Sequence, residues 1–240
     1  MSNAGFPPSG SVSVVSCAAD NTIGDLHVVG RSSGGGLYHT IRYANGNWRR
    51  FGNVKDQVGD PGPIGVVDTA VIGSDLHVVV TTSDGGLYHT IRYANGTWVP
   101  VPGFGDVRAA AGNPGLVLDT SAASTGPLLH VLAITSQSHG LYHAIRLADG
   151  NWQPRFGTSV YYNGAGYPGA PGASLDTVSS AVDIIRTGDL FVVGTTSRGG
   201  LFFTTRPKGG GSWTRFIDIK AKVGGRDPGT FVESSVAAAK

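Results

Sequence analysis

An all-β fold built from repeated antiparallel units is what this 240-residue chain predicts, on three observations. The first is self-similarity. The string "GLYHTIRYANGNW", ending at Trp48, returns as "GLYHTIRYANGTW" ending at Trp98, as "GLYHAIRLADGNW" ending at Trp152, and as "GLFFTTRPKGGGSW" ending at Trp213. The second is composition: 38 Gly, 14% charged residues, one Cys and one Met suit many short strands joined by tight turns. The third is that each repeat splits into four strand-sized runs separated by turn residues. Four-stranded units recurring at about this length are the mark of a β-propeller, in which each unit is a blade.

The second repeat shows the elements in order: "GVVDTAVIGS", "DLHVVVTTSD", "GGLYHTIRYANG" and "TWVPVPGFGDV". Ser83 to Gly86 separates the second and third runs, and Ala94, Asn95 and Gly96 separate the third and fourth. Gly-Gly and Asn-Gly supply the positive φ that hairpin turns need, so the four strands meander antiparallel. In "LYHTIR", Leu87, His89 and Ile91 point one way while Tyr88, Thr90 and Arg92 point the other. Neither face is purely polar, as expected of a sheet flanked on both sides.

The predicted organisation is a tail, 1–10, and a single propeller domain, 11–240, with repeats at about 11–62, 63–113, 114–172 and 173–228. Five first strands are readable, from "SVSVVSCAAD" to "FVESSVAAA", so four full repeats are followed by an extra terminal strand at 230–239. Either the terminal strands compete to complete a four-bladed ring, or the chain is an arc closed by another copy of itself. An unpaired edge is a liability. Some closure is therefore expected, and a homo-oligomer that closes or stacks the ring is one form of it.

Trp48, Trp98, Trp152 and Trp213 each open a fourth strand and are read as blade-packing residues. His39, His89 and His143 are matched by Phe203 in the fourth repeat, and His27, His77 and His130 by Phe191. A position that accepts Phe does not demand a metal ligand or a base, so these His are expected to be buried and no metal or other cofactor is expected. Asp68, Asp119 and Asp176, each followed by Thr, sit at the starts of first strands and are read as structural Asp-Thr turns. The lone Cys17 is expected to be a small buried apolar residue.

Net charge is only +2 with Lys and Arg scattered, which offers no footprint for nucleic acid or an anionic membrane. No apolar run approaches the ~20 residues that span a bilayer, and "MSNAGFPPSG" lacks the basic start and apolar core of a signal peptide. The chain is expected to be soluble, and secretion or a cell-surface destination is compatible with that.

With "DGGLYHTIRYANGTW", "FGNVKDQVGDPG" and "DLHVVVTTSDGG", the chain resembles bacterial propeller lectins of the Photorhabdus type and, more loosely, the tectonin and tachylectin propellers. The resemblance runs from about Ser11 to Ala239. It implies a non-catalytic, multivalent protein that binds fucose or other small glycans at shallow sites between blades. Two departures stand out. The chain has four repeats and a strand instead of a larger ring, and its fourth repeat carries Phe202 and Phe203 for Tyr-His and lacks the Asn-Gly turn.

The candidate ligand site lies where the turn between strands two and three meets the long connectors. Rigid scaffolds present function on such loops. Tyr38, Tyr88 and Tyr142 offer an apolar face for a sugar, and Asp84, Arg31 and Arg198 offer hydrogen bonds. Arg42, Arg92 and Arg146, on the Tyr face four residues farther along, add fork-like donors, with bonding to connector carbonyls as their structural alternative. The third connector adds Tyr161, Tyr162 and Tyr167.

Two other function classes remain in view. A glycosidase of the sialidase kind needs paired carboxylates, and the repeated Asp would ring the axis instead of pairing. The asymmetric candidates Glu233 and Asp183 complete no recognisable acid, base and nucleophile. A protein-interaction propeller is the other alternative. The near-identity of the first two repeats favours a multivalent binder of a repeated small ligand over one unique patch.

Overall fold

The computed structural model of the chain describes residues 11–137, 140–153, 156, 159–169, 172–183, 187–224 and 228–236. The tail 1–10, Ser138 and His139 of the third glycine turn, and the end of the extra strand at 237–239 lie outside them. The chain divides into two compact units, Met1–Ala110 and Ala111–Lys240.

The first unit holds two four-stranded antiparallel blades. Blade 1 is β1 (Val12–Asp20), β2 (Asp25–Ser32), β3 (Leu37–Arg42) and β4 (Gly52–Asn53), in that spatial order. A short helix, α1 (Lys55–Val58), leads to blade 2, which is β5 (Ile64–Ile72), β6 (Asp75–Thr82), β7 (Leu87–Arg92) and β8 (Gly105–Asp106). The helix α2 (Val107–Ala111) follows. The second unit holds blade 3, β9 (Val117–Thr125), β10 (Leu128–Thr135) and β11 (Leu141–Arg146), and blade 4, β12 (Leu175–Val182), β13 (Leu190–Thr196), β14 (Leu201–Arg206) and β15 (Ile217–Asp218). The helix α3 (Ile219–Val223) follows blade 4, and a single wide helical turn, Tyr161–Ala165, precedes it. The fold is thus all-β, in propeller blades of meandering antiparallel strands.

The fourth strands are more broken than the sequence suggests. In blades 1 to 3 the Trp makes only a single bridge to the last residue of the third strand: Arg42 with Trp48, Arg92 with Trp98, Arg146 with Trp152. A two-residue ladder resumes farther on in blades 1 and 2, and in blade 2 Pro100 and Pro102 lie in the gap, where a residue without an N–H cannot donate to a ladder. In blade 3 the described residues include no second ladder, so its sheet has three strands. Short helices follow the fourth-strand ladders of blades 1, 2 and 4. Asn53, Asp106 and Asp218 start them by accepting from the backbone N–H groups of Lys55, Arg108 and Ala221 respectively.

Neighbouring first strands are tied side by side within each unit. Ser16 Oγ donates to Asp68 Oδ1 at 2.6 Å, and Asp119 Oδ2 accepts from the N–H of Val178 at 2.8 Å. The repeated Asp therefore sit inside β5 and β9 as ties from blade to blade, not in turns. The terminal segment 228–236 follows the same plan without a ladder of its own. Its Phe231 N–H donates to Gly199 O as Ile64 N–H does to Gly35 O, and Val236 N–H donates to Ser179 of β12.

The core of the first unit gathers Val29, Leu37, Ile64, Leu76 and Val78 from both blades, and that of the second gathers Leu132, Ile134, Leu175, Leu190 and Trp213. β1 alternates exposed and half-covered residues, with Val15 58% exposed. Cys17 lies on that open face and is exposed, not buried as expected, because the two-residue period that turns Ser16 toward β5 turns Cys17 outward. No helix among the described residues is long and apolar enough to cross a membrane.

Candidate functional site

The residues singled out from the sequence fall at two ends of the blades. Tyr38 and Tyr88 stand near the start of the third strand, Arg42 and Arg92 at its end. Four residues of strand separate them by about 13 Å, so they do not form one small site.

At the first end, the aromatic ring lies on the turn glycine two residues before it. A Cβ at Gly86 would come within 2.5 Å of Tyr88 Cε2, and one at Gly140 within 2.7 Å of Tyr142 Cε2. Phe202 holds the same place over Gly200. Tyr38 is only 6% exposed. These rings serve as lids on their own turns, and the fourth blade does so without a hydroxyl. Asp84 shapes its turn by accepting from Thr82 Oγ1 and Gly86 N–H, bonds that hold its carboxyl below the usual range. Arg31 Nη1 donates to Gly65 O of the next blade at 3.0 Å. Arg198 is exposed beside a crevice of about 320 Å³ whose lining includes Gly169, Ser174, Thr196 and Phe202. The third connector brings Tyr162 and Tyr167 together, hydroxyl to hydroxyl at 2.7 Å, with Tyr161 buried beneath them.

At the other end, the guanidinium of the third-strand Arg reaches over the Asn-Gly or Asp-Gly turn. A Cβ at Gly96 would lie 3.2 Å from Arg92 Nη2, and one at Gly150 3.1 Å from Arg146 Nη2. In the first unit this end opens into a crevice of about 140 Å³ between blades 1 and 2. Blade 1 contributes His39, Arg49, Asn53 and Gln57, and blade 2 contributes Arg92 and Trp98. The Trp98 ring stands edge-on to His39, centroids 5.6 Å apart at 87°. Burial, then the neighbouring Arg49, lowers the pKa of Arg92. Burial, His27, Arg92 and Arg49 together push His39 down to about 2, so it faces the crevice as a neutral ring.

Of the residues expected in a ligand site, only Arg92 lines this crevice. Trp98 was assigned to packing and does both, touching the core on one side and the crevice on the other. Arg49, Asn53 and Gln57 were missed because they come from the stretch that follows the Trp. The available signal was the polar string "RRFGNVKDQ", set beside the blade-to-blade contact that any propeller repeat implies.

The equivalent place in the second unit is built alike but filled. His143 and Trp213 keep the edge-on geometry, 5.5 Å and 88°, with Arg206 on the neighbouring strand. The turn Tyr161–Ala165 lies against Trp213, whose N–H donates to Asn163 O at 3.0 Å, while Phe216 N–H donates to Ala165 O at 2.8 Å. Trp213 is consequently 4% exposed. Among the described residues, no group of three or more His, Cys, Asp or Glu is arranged to hold a metal.

No family model matches the chain, and no curated protein matches it in sequence. Solved structures do match its fold. AofleA from Arthrobotrys oligospora aligns with 94% of this chain and 60% of its own at a TM-score of 0.59 and 15% identity. The fucose-specific lectin from Aleuria aurantia aligns with 93% of this chain and 67% of its own at 0.57 and 15%. The Hadza microbial sialidase Hz136 aligns with 85% of this chain and 45% of its own at 0.55 and 13%. The chain thus spans between about half and two thirds of the length of each. At such identities what is shared is the fold, the bladed architecture common to this chain and to lectins and a sialidase alike.

Proposed function

We propose that the protein is a non-catalytic carbohydrate-binding module, with the crevice between blades 1 and 2 as a binding site. The observation that carries this reading is the composition of the crevice: an indole wall, Trp98, beside two guanidiniums, Arg49 and Arg92, and two side-chain amides, Asn53 and Gln57. A sugar presents an apolar ring face to an aromatic surface and a fixed set of hydroxyls to such donors. The described lining carries no carboxylate, whereas glycoside hydrolysis ordinarily employs two. That composition supports binding over the sialidase-like alternative.

The lectins among the similar structures support the same reading, and the Aleuria protein, fucose-specific by name, makes fucose the first neutral sugar to try. Near-identical repeats favour more than one site, although the filled crevice at Trp213 argues for fewer sites than blades. A glycan array probed with the full chain and with Trp98→Ala tests the proposal. Selective signal from the parent chain that the variant loses supports it. A blank array from folded parent chain overturns it in favour of a protein-interaction role.

A further inference from the structure

Arg49 and Arg92 present two cations to one small crevice, and among the described residues neither guanidinium has a hydrogen-bond or ion-pair partner. Arg92 is 7% exposed as a residue, and burial followed by the Arg49 charge disfavours its cationic form, with Tyr43 and Asp25 acting the other way. Burying an unpaired charge is expensive, and such a group is ordinarily satisfied by an anion. Among the described residues no carboxylate makes a direct ion pair with either guanidinium. Asp25, the nearby carboxylate that favours the charged form of Arg92, spends Oδ1 on the N–H of Ala44. Asp56 is exposed and accepts from Asn53 Nδ2. Lys55 pairs with Asp60 at 2.8 Å.

From these observations we infer that the crevice takes a terminal sugar bearing an anionic group, a carboxylate or a sulfate ester, with the anion on Arg49 and Arg92 and the ring against Trp98. The inference rests on the carbohydrate-binding reading and replaces its neutral ligand with a charged one. Both anions offer the oxygens that a guanidinium binds in fork geometry. A crevice of about 140 Å³ is smaller than the roughly 300 Å³ at which ordinary ligand pockets begin, which suits one sugar end with its acid group better than a chain of residues.

The test titrates the full chain with four methyl glycosides, glucose against glucuronic acid and galactose against sulfated galactose, and with inorganic sulfate alone. Arg49→Gln is the first variant, since Arg49 is exposed and its replacement leaves the core intact. Arg92→Lys, which keeps charge but loses the fork, is the second. The expected result is that at least one acidic sugar binds about tenfold or more tighter than its neutral parent. That preference should weaken with added salt and shrink in both variants. Glucuronic acid alone or sulfated galactose alone showing the effect identifies the anion. Neutral sugars binding as tightly as acidic ones, with Arg49→Gln indifferent, overturns the inference and leaves the carbohydrate reading standing. Inorganic sulfate binding as well as the sulfated sugar overturns the sugar part. No binding by any of the four glycosides overturns the inference, and the carbohydrate reading then stands or falls on the glycan array.

Discussion

His27 and His39 stack in blade 1 with ring centroids 5.3 Å apart, joined by a hydrogen bond from ring nitrogen to ring nitrogen at 3.0 Å. His77 with His89 and His130 with His143 repeat the pair, and Phe191 with Phe203 replaces it in blade 4 at 5.8 Å. A neutral imidazole pair and a Phe pair are interchangeable here because both fill the middle of a blade. A protonated pair is not, since within each unit it meets the guanidinium of the next blade: Arg92 beside His27 and His39, Arg206 beside His130 and His143.

The pH dependence of stability follows. Burial, reinforced by Arg206, lowers His130 to about 4, and burial with its neighbours lowers His39 to about 2. The folded chain therefore binds fewer protons than the unfolded chain below pH 6.5, the ordinary His value, and stability present above that point drains away as pH falls toward the folded values. For His130 alone the loss is on the order of 3 kcal/mol by pH 4. Urea unfolding midpoints should be level above neutrality and fall steadily on acidification. Replacing the first pair, His27→Phe with His39→Phe, should keep the fold and flatten the fall. A midpoint independent of pH in the parent chain would contradict the burial of neutral imidazoles.

The joint replacement of both His by Phe was legible without any structure, because the repeats carry their own comparison. So were the meander, the glycine turns and the count of blades. The blade-to-blade ties were not. Asp68 and Asp119 look like turn residues along the chain, and only the side-by-side placement of first strands shows that they bond the neighbouring blade. The crevice was hidden for the same reason. Its two walls are some forty residues apart in sequence, with Arg49 on one and Arg92 on the other, and periodicity within a repeat says nothing of what the next repeat lays against it. Cys17 was misplaced because burial of free thiols is a statistical habit, whereas exposure on β1 depends on which face is left uncovered.

Asp119 should be costly to lose. Its Oδ2 accepts from the N–H of Val178 and its Oδ1 from that of Thr120, so Asp119→Ala strands a donor between blades 3 and 4. Leaving such a group unmet costs about 1 to 3 kcal/mol. Equilibrium unfolding should register that loss, and an Asp119→Ala chain as stable as its parent would show that the tie is replaceable.

Gly86 and Tyr88 should behave oppositely to what a ligand loop would do. A Cβ at Gly86 would lie 2.4 Å from Thr82 Oγ1 and 2.5 Å from Tyr88 Cε2, so Gly86→Ala should destabilise by about 1 to 3 kcal/mol through overpacking. Tyr88→Phe, which copies Phe202 of blade 4, should be close to neutral for folding and should leave glycan binding intact. Thermal melts and the glycan array read the two effects. Lost binding with an unchanged melt in Tyr88→Phe would return the site to the glycine turns.

Trp98 and Trp213 are the same residue of the repeat put to different uses, and their substitution should separate them. Trp98 borders an open crevice and is half-buried, while Trp213 is covered by the turn Tyr161–Ala165 and is packed into the core of its unit. Trp213→Ala opens a cavity and should cost about 3 to 5 kcal/mol of stability. Trp98→Ala removes part of a wall that water already reaches, so the loss of stability should be smaller, and glycan affinity should drop at least about tenfold with the stacking surface gone. Chemical unfolding beside glycan titration distinguishes the two. If Trp98→Ala unfolds as readily as Trp213→Ala and the folded fraction still binds as tightly as the parent chain, then the indole is a blade-packing residue in both places and the crevice beside it is not where a sugar sits.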